Sequence, residues 1–248
     1  MGDILKHGAL VRLARVAAQR AIRGPVTYIE THAYLLDSPW NNPLKWKQNI
    51  NTQLAKHPAY TDYVRMEKDR LDADEPYRCS TGLALDIISE RSYHAIFAET
   101  DDETRRKLKS QVRQDGFRAD FILEDLSELQ EIEPPRGEDE DEDDPAGGST
   151  LVLVDPFELD DDTWQQVVDG LDEFIEEESE GMILVFDFDA DNDELDWPDP
   201  PPHFLGPVAT LDHKPYHLAG YATDAMTGKM LDELDNLGWN ILYEQEED

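Results

Sequence analysis

The sequence has one cysteine, few basic residues and no long hydrophobic run. A lone Cys79 excludes an internal disulfide, and no cysteine–histidine cluster has the spacing of a zinc site. The longest apolar stretches, such as Met182–Phe186, fall far short of the ~20 residues that a membrane-spanning helix needs. No basic-then-apolar leader opens the chain. We therefore expect a soluble, cytoplasmic protein without a bound metal.

Basic residues are scarce relative to acidic ones. The chain has 22 lysines and arginines against 57 aspartates and glutamates, for a formal net charge of −35. Hydrophobic residues still make up 39% of the chain, which is enough for a core and excludes a wholly disordered protein. Surface carboxylates keep proteins soluble in brine, where salt screens their mutual repulsion. The composition therefore favours a halophilic source.

The charge is unevenly distributed along the chain. Residues 1–80 have 12 basic and nine acidic side chains, for a net charge of +3, whereas residues 81–248 have 10 and 48, for a net charge of −38. This asymmetry is compatible with an anionic partner, such as nucleic acid, on the N-terminal third. It is equally compatible with acidic residues that simply accumulate in the later loops, and the sequence leaves both interpretations open.

Helical and strand-like patterns alternate through most of the sequence. Residues 3–22 have helical apolar spacing, Gly24-Pro25 ends that helix, and Val26–Ile29 is a strand-like run followed by polar residues. Further apolar runs, each closed by an acidic residue, are His94–Ala98, Ala119–Leu123, Thr150–Val154 and Met182–Phe186. Helical patterns cover Gly82–Glu90, Asp102–Gln114, Asp161–Glu178 and Gly228–Leu237. The order predicts an α/β fold with a Rossmann-like, doubly wound, mostly parallel sheet.

Residues 34–78 interrupt this alternation and are predicted to form a small helical insertion subdomain after the first strand. Residues 1–33 and 79–248 then form the Rossmann-like domain. The insertion combines basic with aromatic side chains, which suits nucleic acid because cations contact phosphates and rings stack on bases. A helical lid with an aromatic core is the alternative. The RNA-binding candidates are Lys45, Lys47, Lys56, Arg65 and Lys68.

Residues 131–149 form the second interruption. They contain the unbroken acidic run Glu138–Asp144 between Pro134-Pro135 and Gly147-Gly148. Such composition is typical of a flexible acidic loop without chemistry of its own.

Polar residues follow the predicted strands and should converge on one edge of the sheet, where open α/β sheets bind ligands. Glu99 follows the second strand and suits a ribose, although a charge at a helix start is the alternative. Asp155-Pro156 is either part of a site or a simple turn. The full set is Glu30-Thr31-His32, Glu99, Glu124-Asp125, Asp155-Pro156-Phe157 and Asp187.

The linear order of several motifs is similar to that of one known family. Asp3-Ile4-Leu5-Lys6-His7 resembles A-D-V-L-K-H, Tyr28–Ala33 resembles Y-L-D-T-H-A, and Leu151–Pro156 resembles L-I-L-I-D-P-P-Y. Tyr77-Arg78-Cys79-Ser80 and Ala98-Glu99 stand where the family has Y-P-G-S and T-E. The sequence thus resembles the RlmJ-type 23S ribosomal RNA adenine-N6 methyltransferases, Rossmann-like enzymes that use S-adenosylmethionine.

The resemblance implies methyl transfer from S-adenosylmethionine to the exocyclic amine of an adenine in ribosomal RNA, without a metal. In that scheme the Asp155 carboxylate and the Pro156 carbonyl accept hydrogen bonds from the amine, and Phe157 stacks on the base. The implied catalytic residues are Asp155, Pro156 and Phe157. The implied cofactor contacts are Lys6, His7, His32, Ser80, Glu99, Asp125, Leu126 and Asp155.

Three departures from the family pattern keep a second hypothesis open. Tyr34-Leu35-Leu36-Asp37 replaces the family's glycines, the second proline of D-P-P-Y is missing before Phe157, and Leu126 replaces a glycine. The alternative is a catalytically degenerate, methyltransferase-like module that binds a nucleoside or RNA. Methylation of a small molecule or protein is a third possibility, and the sequence leaves the oligomeric state open.

Overall fold

A mostly parallel sheet forms the centre of the described part of the chain. The computed structural model describes residues 2–21, 24–40, 44, 52, 58–124, 128, 148–155, 181–187, 204–205, 209–211, 214–222, 224–237 and 240–241. Several sequence predictions lie outside these ranges: the helix Asp161–Glu178, nearly all of the acidic loop, and the site candidates Lys45, Lys47, Lys56, Asp125, Leu126, Pro156 and Phe157.

The described elements include the five predicted strands and four of the predicted helices, together with strands that the sequence did not predict. The helices are α1 (Gly2–Arg20), α2 (Thr61–Asp72), α3 (Ser80–Ile88), α4 (Asp102–Gln114) and α5 (Asp224–Asn236), with a 3₁₀ turn at Pro58–Tyr60. The strands are β1 (Val26–Glu30), β2 (Asp37–Ser38), β3 (Tyr77–Arg78), β4 (Tyr93–Ala98), β5 (Phe121–Leu123), β6 (Ser149–Val154), β7 (Gly181–Asp187), β8 (Phe204–Leu205), β9 (Ala209–Leu211), β10 (Lys214–Ala222) and β11 (Asn240–Ile241).

The described strands form a sheet in the order β11-β8-β10-β7-β6-β1-β4-β5, with β9 paired to β10. β1 lies parallel between β4 and β6, so that Val26 is opposite Tyr93 on one side and Ser149 on the other. From β1 the chain runs outward to β4 and β5 and then returns to the other side of β1. This reversal between β1 and β6 is the switch point of a doubly wound sheet. The predicted fold class is confirmed.

The antiparallel edge of the sheet was missed by the sequence prediction. β10 pairs antiparallel with β7, placing His217 opposite Asp187, and β8 pairs antiparallel with β10. Lys214 and His217 interrupt the apolar residues of Lys214–Leu218. This segment therefore lacks the continuous apolar run that is typical of buried parallel strands, and the sequence pattern does not indicate a strand here.

Helix α1 is almost entirely enclosed. It contacts α2, α3, α5 and β6, and residues such as Leu10, Leu13 and Ala14 are fully buried in the main core. Even its polar residues Lys6 and His7 are only 9% and 3% exposed. Because α1 crosses the sheet at β6, it brings these two side chains to the candidate site.

Two short strands pair with each other at the beginning and the end of the segment between β1 and α3. β2 pairs antiparallel with β3, with Asp37 opposite Arg78. The described residues between these strands form the 3₁₀ turn and α2, and α2 packs on α1. No helix in the described ranges is long and apolar enough to cross a membrane.

Gly82 in α3 is a position where a side chain should destabilise the fold. A Cβ there would lie 2.6 Å from both the Leu36 carbonyl oxygen and Arg78 Nε. We expect Gly82→Ala to cost about 1–3 kcal/mol in denaturant unfolding, despite alanine's helix preference, because the Leu36 backbone must move. The matched control is Gly228→Ala in α5, where a Cβ meets no described atom within 4 Å. That variant should gain about 0.5–1 kcal/mol; equal effects of both substitutions would contradict this packing argument.

Candidate active site at the carboxyl ends of β1 and β6

Glu30, the last residue of β1, is the buried acid of the site. Its side chain is fully buried and accepts hydrogen bonds from Ser80 Oγ at 2.6 Å and Tyr28 Oη at 3.0 Å. Burial raises the pKa of Glu30 to about 7, against the opposing effect of the Ser80 hydrogen bond. Ser80, a predicted cofactor contact, thus uses its hydroxyl proton to fasten α3 to the end of β1.

Asp155 follows β6 and forms an ion pair with α1. Lys6 Nζ lies 2.8 Å from Asp155 Oδ2, and the two side chains are 11% and 17% exposed. The same ammonium lies 4.9 Å from the centre of the Phe186 ring on β7, a cation–π contact. The predicted catalytic aspartate and the predicted Lys6 are therefore in direct contact. A half-buried carboxylate fixed in this way presents its acceptor atoms in a defined orientation.

His7 connects α1 to the aromatic residues that follow β1. Its Nδ1 lies 3.1 Å from Tyr63 Oη and 2.9 Å from Tyr77 Oη, and the two hydroxyls are 3.0 Å apart. Tyr60 and Tyr63 are only 4% and 1% exposed. Both tyrosines belong to the main core, where they pack with residues of α1. His7, predicted as a cofactor contact, is hydrogen-bonded to this core.

His32 and Glu99 follow the neighbouring strands β1 and β4. His32 Nδ1 is 2.8 Å from Thr31 Oγ1, and burial lowers the pKa of His32 to about 4, so the ring is neutral at pH 7. Glu99 Oε1 accepts the Asp101 backbone N–H at 2.8 Å, and partial burial raises the Glu99 pKa. The N-cap of α4 is Asp101, which accepts the Thr104 N–H. Glu99 therefore supports the turn before α4 without capping the helix.

The glycine-free loop after β1 directs its side chains away from one another. Leu36 is fully buried in the main core, and Gln111 Oε1 of α4 accepts its backbone N–H at 2.8 Å. Ala33 is buried and its N–H bonds to Ala98 O, whereas Tyr34 is 51% exposed. The replacement of glycines thus adds a leucine to the core and an exposed ring to the loop.

Arg78 is the main structural residue that sequence reasoning missed. Its guanidinium is 4% exposed and bonds to Asp86 through Nε and Nη2 at 3.0 and 2.7 Å. Its Nη1 lies 2.9 Å from both Asp37 and Asp115. Arg78 thereby links β2, β3, α3 and the end of α4. No local signal indicates this, since the three acids stand 8 to 41 residues away in the chain.

Two of the five predicted RNA-binding residues, Arg65 and Lys68, lie in the described part of the chain, and both are on α2. Lys68 Nζ lies 2.5 Å from Asp72, its neighbour one turn later, and Arg65 is exposed. The neighbouring Arg70 pairs with Asp37 and Glu75. Most of the positive charge on this helix is therefore balanced locally, which weakens its attraction for phosphate.

Glu67 on α2 should make stability fall as the pH rises. It is 0% exposed, and burial raises its pKa to about 8 against the opposing effect of Arg70. The pKa of Glu67 is higher in the folded chain than in the unfolded chain. The stability that the protonated Glu67 contributes to the fold is therefore fully present at acid pH, and it is lost as the pH rises through about 8. We expect Glu67→Gln to be more stable than the native chain by roughly 1–3 kcal/mol above that pH, and about equal to it at pH ~4.

Urea unfolding across this pH range would test the Glu67 prediction. Glu90→Gln removes the same charge from an exposed site and serves as the control. A Glu67→Gln profile parallel to that of the native chain would show that Glu67 does not titrate in this interval.

No three histidine, cysteine, aspartate or glutamate side chains are grouped to hold a metal ion within the described ranges. The polar groups that the described residues bring to this edge include carboxylates, one ammonium and hydroxyl groups: Glu30, Glu99, Asp155, Lys6, Ser80 and the tyrosines around His7.

Comparison with solved structures supports the fold. Protein LPL1258 from Legionella pneumophila, of the DUF519 family, superposes with a TM-score of 0.59 at 15% identity, covering 95% of this chain and 91% of that one. A ribosomal RNA methylase from Streptococcus thermophilus gives a TM-score of 0.43 at 7% identity, covering 86% and 96%. The first likeness shows a shared fold over nearly the whole of both chains. No protein-family model matches the sequence, and no curated protein sequence matches it significantly.

Proposed function

We propose that this protein is an S-adenosylmethionine-dependent methyltransferase that acts on the N6 position of adenine in RNA, with ribosomal RNA as the substrate class. The observation that carries the proposal is the position of Asp155. It follows β6 at the switch point beside β1, and Lys6 holds it at 2.8 Å. This is the edge where doubly wound sheets bind nucleotides and their derivatives.

The residues at this edge fit S-adenosylmethionine. Glu99 ends the strand next to β1, where an acidic residue commonly accepts hydrogen bonds from ribose hydroxyls. The neutral His32 ring adds a polar group without a charge that would repel a sulfonium. When bound, S-adenosylmethionine supplies an electrophilic methyl group to the reaction.

Asp155 then acts on the adenine amine. Its carboxylate would accept a hydrogen bond from the exocyclic N–H, which orients the nitrogen lone pair for in-line attack on the methyl carbon. As the N–C bond forms, the methyl–sulfur bond would break to release the thioether product, and the amine would lose one proton to solvent. Lys6 fixes the carboxylate orientation from one side. Two further roles rest on the family resemblance. The Pro156 carbonyl would accept a second hydrogen bond from the amine, and Phe157 would stack on the base.

The second candidate function is a binding module without catalysis. It is favoured by the loop after β1, where Leu36 fills core space and the exposed Tyr34 replaces a glycine. A module of this kind would bind S-adenosylmethionine, a nucleoside or RNA, and would release no methylated product.

Calorimetric titration and a methyl-transfer assay test the proposal together. In high-salt buffer we expect S-adenosylmethionine to bind, and Glu99→Ala to weaken binding by about 10-fold or more through loss of a charged acceptor. Ribosomal RNA incubated with methyl-labelled S-adenosylmethionine should yield N6-methyladenosine after digestion. Binding without product at any salt concentration would establish the binding module. No binding of S-adenosylmethionine by the folded chain would exclude the methyltransferase and leave the module that binds a nucleoside or RNA.

A further inference from the structure

The last two-thirds of the chain contain one sequence cluster of basic residues. Residues 81–248 have ten basic side chains, and six of them lie between positions 105 and 118. The six are Arg105, Arg106, Lys107, Lys109, Arg113 and Arg118. Arg105 is buried, and Arg106 and Lys107 pair with Asp102 and Glu103, so Lys109, Arg113 and Arg118 are the members of this cluster that line a groove.

A groove of about 350 Å³ lies within this cluster. It is formed by the second half of α4, the turn that follows, and β5. Lys109, Arg113 and Arg118 supply its positive charge, and Val112, Phe117 and Ile122 are among its apolar residues. Since the turn precedes β5, the groove begins at the amino ends of the strands, whereas Asp155 and Glu99 lie at the carboxyl ends.

Two of the three groove cations, Lys109 and Arg113, are not balanced in the way those of α2 are, whereas Arg118 pairs with Asp120. Lys109 and Arg113 are one helical turn apart, a like-charge arrangement that destabilises a helix by itself. Neither makes an ion pair with a residue in the described ranges. Attraction to the carbonyl end of α4 accounts for Arg113, which is in the last turn, but not for Lys109.

Arg118 is held in place at the rim of the groove. Its Nη2 donates to the Tyr93 carbonyl at 2.7 Å, and its guanidinium lies 5.8 Å from the centre of the Tyr93 ring. Two acids lie nearby. Asp115 bonds to Arg78, and Asp120, which lines the groove, accepts the Ala95 N–H at 3.0 Å and pairs with Arg118 Nε at 3.4 Å. Lys109 and Arg113 are therefore the groove cations without an ion pair among the described residues, and they lie beside the apolar residues Val112, Phe117 and Ile122.

We infer that this groove binds a single-stranded segment of RNA, with phosphates on Lys109 and Arg113 and a base or ribose against the apolar residues Val112, Phe117 and Ile122. Arginine and lysine next to apolar surface is the combination that single-strand-binding grooves use. The identification of the strand as RNA rests on the proposed function. The groove and the carboxyl-end site lie at opposite ends of the strands. Since β4 spans six residues, or about 20 Å, an extended RNA segment is long enough to cover both.

Fluorescence anisotropy with a labelled adenine-rich RNA of about twelve nucleotides tests this inference, since single-strand sites span about 4–16 nucleotides. The variant is Lys109→Gln/Arg113→Gln in the full chain, measured over a series of KCl concentrations. We expect affinity to fall about tenfold. The slope of log affinity against log salt should decrease by about 1.4, for two lost contacts on a single strand.

The matched control is Arg106→Gln/Lys107→Gln on the same helix. It removes the same charge from side chains that are 77% and 57% exposed and do not line the groove. Its salt slope should remain that of the native chain. Equal loss in both variants would reduce the effect to net charge and overturn the inference, as would equal affinity for a poly-glutamate peptide of the same charge.

Two further measurements separate this inference from the proposed function. Calorimetry should show native S-adenosylmethionine affinity in Lys109→Gln/Arg113→Gln, and its circular dichroism spectrum and melting curve should show an intact fold. Groove-dependent RNA binding by a chain that transfers no methyl group would leave the inference standing and remove the proposed activity. Methyl transfer with an unchanged KM for RNA in the variant would support the proposed activity and overturn the inference about the groove.

Discussion

Asp155→Ala is expected to lower kcat for methyl transfer to adenine by about 10²–10³-fold, because the substitution removes the acceptor that orients the amine in the transition state. Asp155→Asn should fall between the native chain and Asp155→Ala. Its amide oxygen still accepts a hydrogen bond, but the ion pair with Lys6 is lost. Single-turnover assays with ribosomal RNA and labelled S-adenosylmethionine measure the three rates directly.

The control for Asp155 is cofactor affinity. If the residue acts on the amine, S-adenosylmethionine binding by Asp155→Ala should stay within about threefold of native, a change of less than 1 kcal/mol. Loss of binding in parallel with loss of rate would leave Asp155 as a cofactor contact alone, which is the other role that the family resemblance implies. A fully active Asp155→Ala would contradict the proposed mechanism.

Arg78→Ala is expected to destabilise the fold by about 3–5 kcal/mol, because it leaves a cluster of carboxylates without their shared cation. Asp37, Asp86 and Asp115 all bond to this guanidinium, and their side chains are 18–34% exposed. For a chain of this size the loss corresponds to a fall in Tm of roughly 6–20 °C. Thermal and urea unfolding at fixed salt concentration provide the measurement.

Two controls define what Arg78 contributes. Arg78→Lys keeps the charge but not the fork that bonds Asp86 through two nitrogens, so it should recover only part of the stability. Arg106→Ala removes an arginine that is 77% exposed with one ion pair at 3.9 Å, and should cost no more than about 0.5 kcal/mol. An Arg78→Ala variant as stable as Arg106→Ala would show that the buried network is energetically neutral.

The five parallel strands were predictable because their signal is local. A buried parallel strand needs apolar side chains on both faces, so β1, β4, β5, β6 and β7 appear as short continuous runs closed by acids. Helix ends shifted by a few residues: α3 begins at Ser80 and not at Gly82, and α5 at Asp224 and not at Gly228. Caps and tertiary contacts set these limits, and apolar spacing does not report them.

The sequence predicted which residues belong to the candidate site, but it did not predict which side chains they contact. Acids that end parallel strands must meet at one edge, which is why Glu30, Glu99 and Asp155 could be named together. The side chains that contact those acids could not be predicted from the sequence in the same way. Ser80 was implied by a family motif, but its bond to Glu30 depends on how α3 packs against β1. Phe186 was part of a predicted strand, and only the fold places its ring beneath Lys6.

By itself the sequence determined the class of fold, the edge of the sheet where polar groups collect, and the uneven distribution of charge. Each of these follows from neighbours in the chain, through apolar periodicity, strand ends and composition. Only the tertiary structure decided that Lys6 pairs with Asp155, 149 residues away, that Arg78 joins three acids, and that Lys109, Arg113 and Arg118 surround one groove. Such contacts depend on how helices pack across the sheet, because burial and charge pairing act between residues that are distant in sequence.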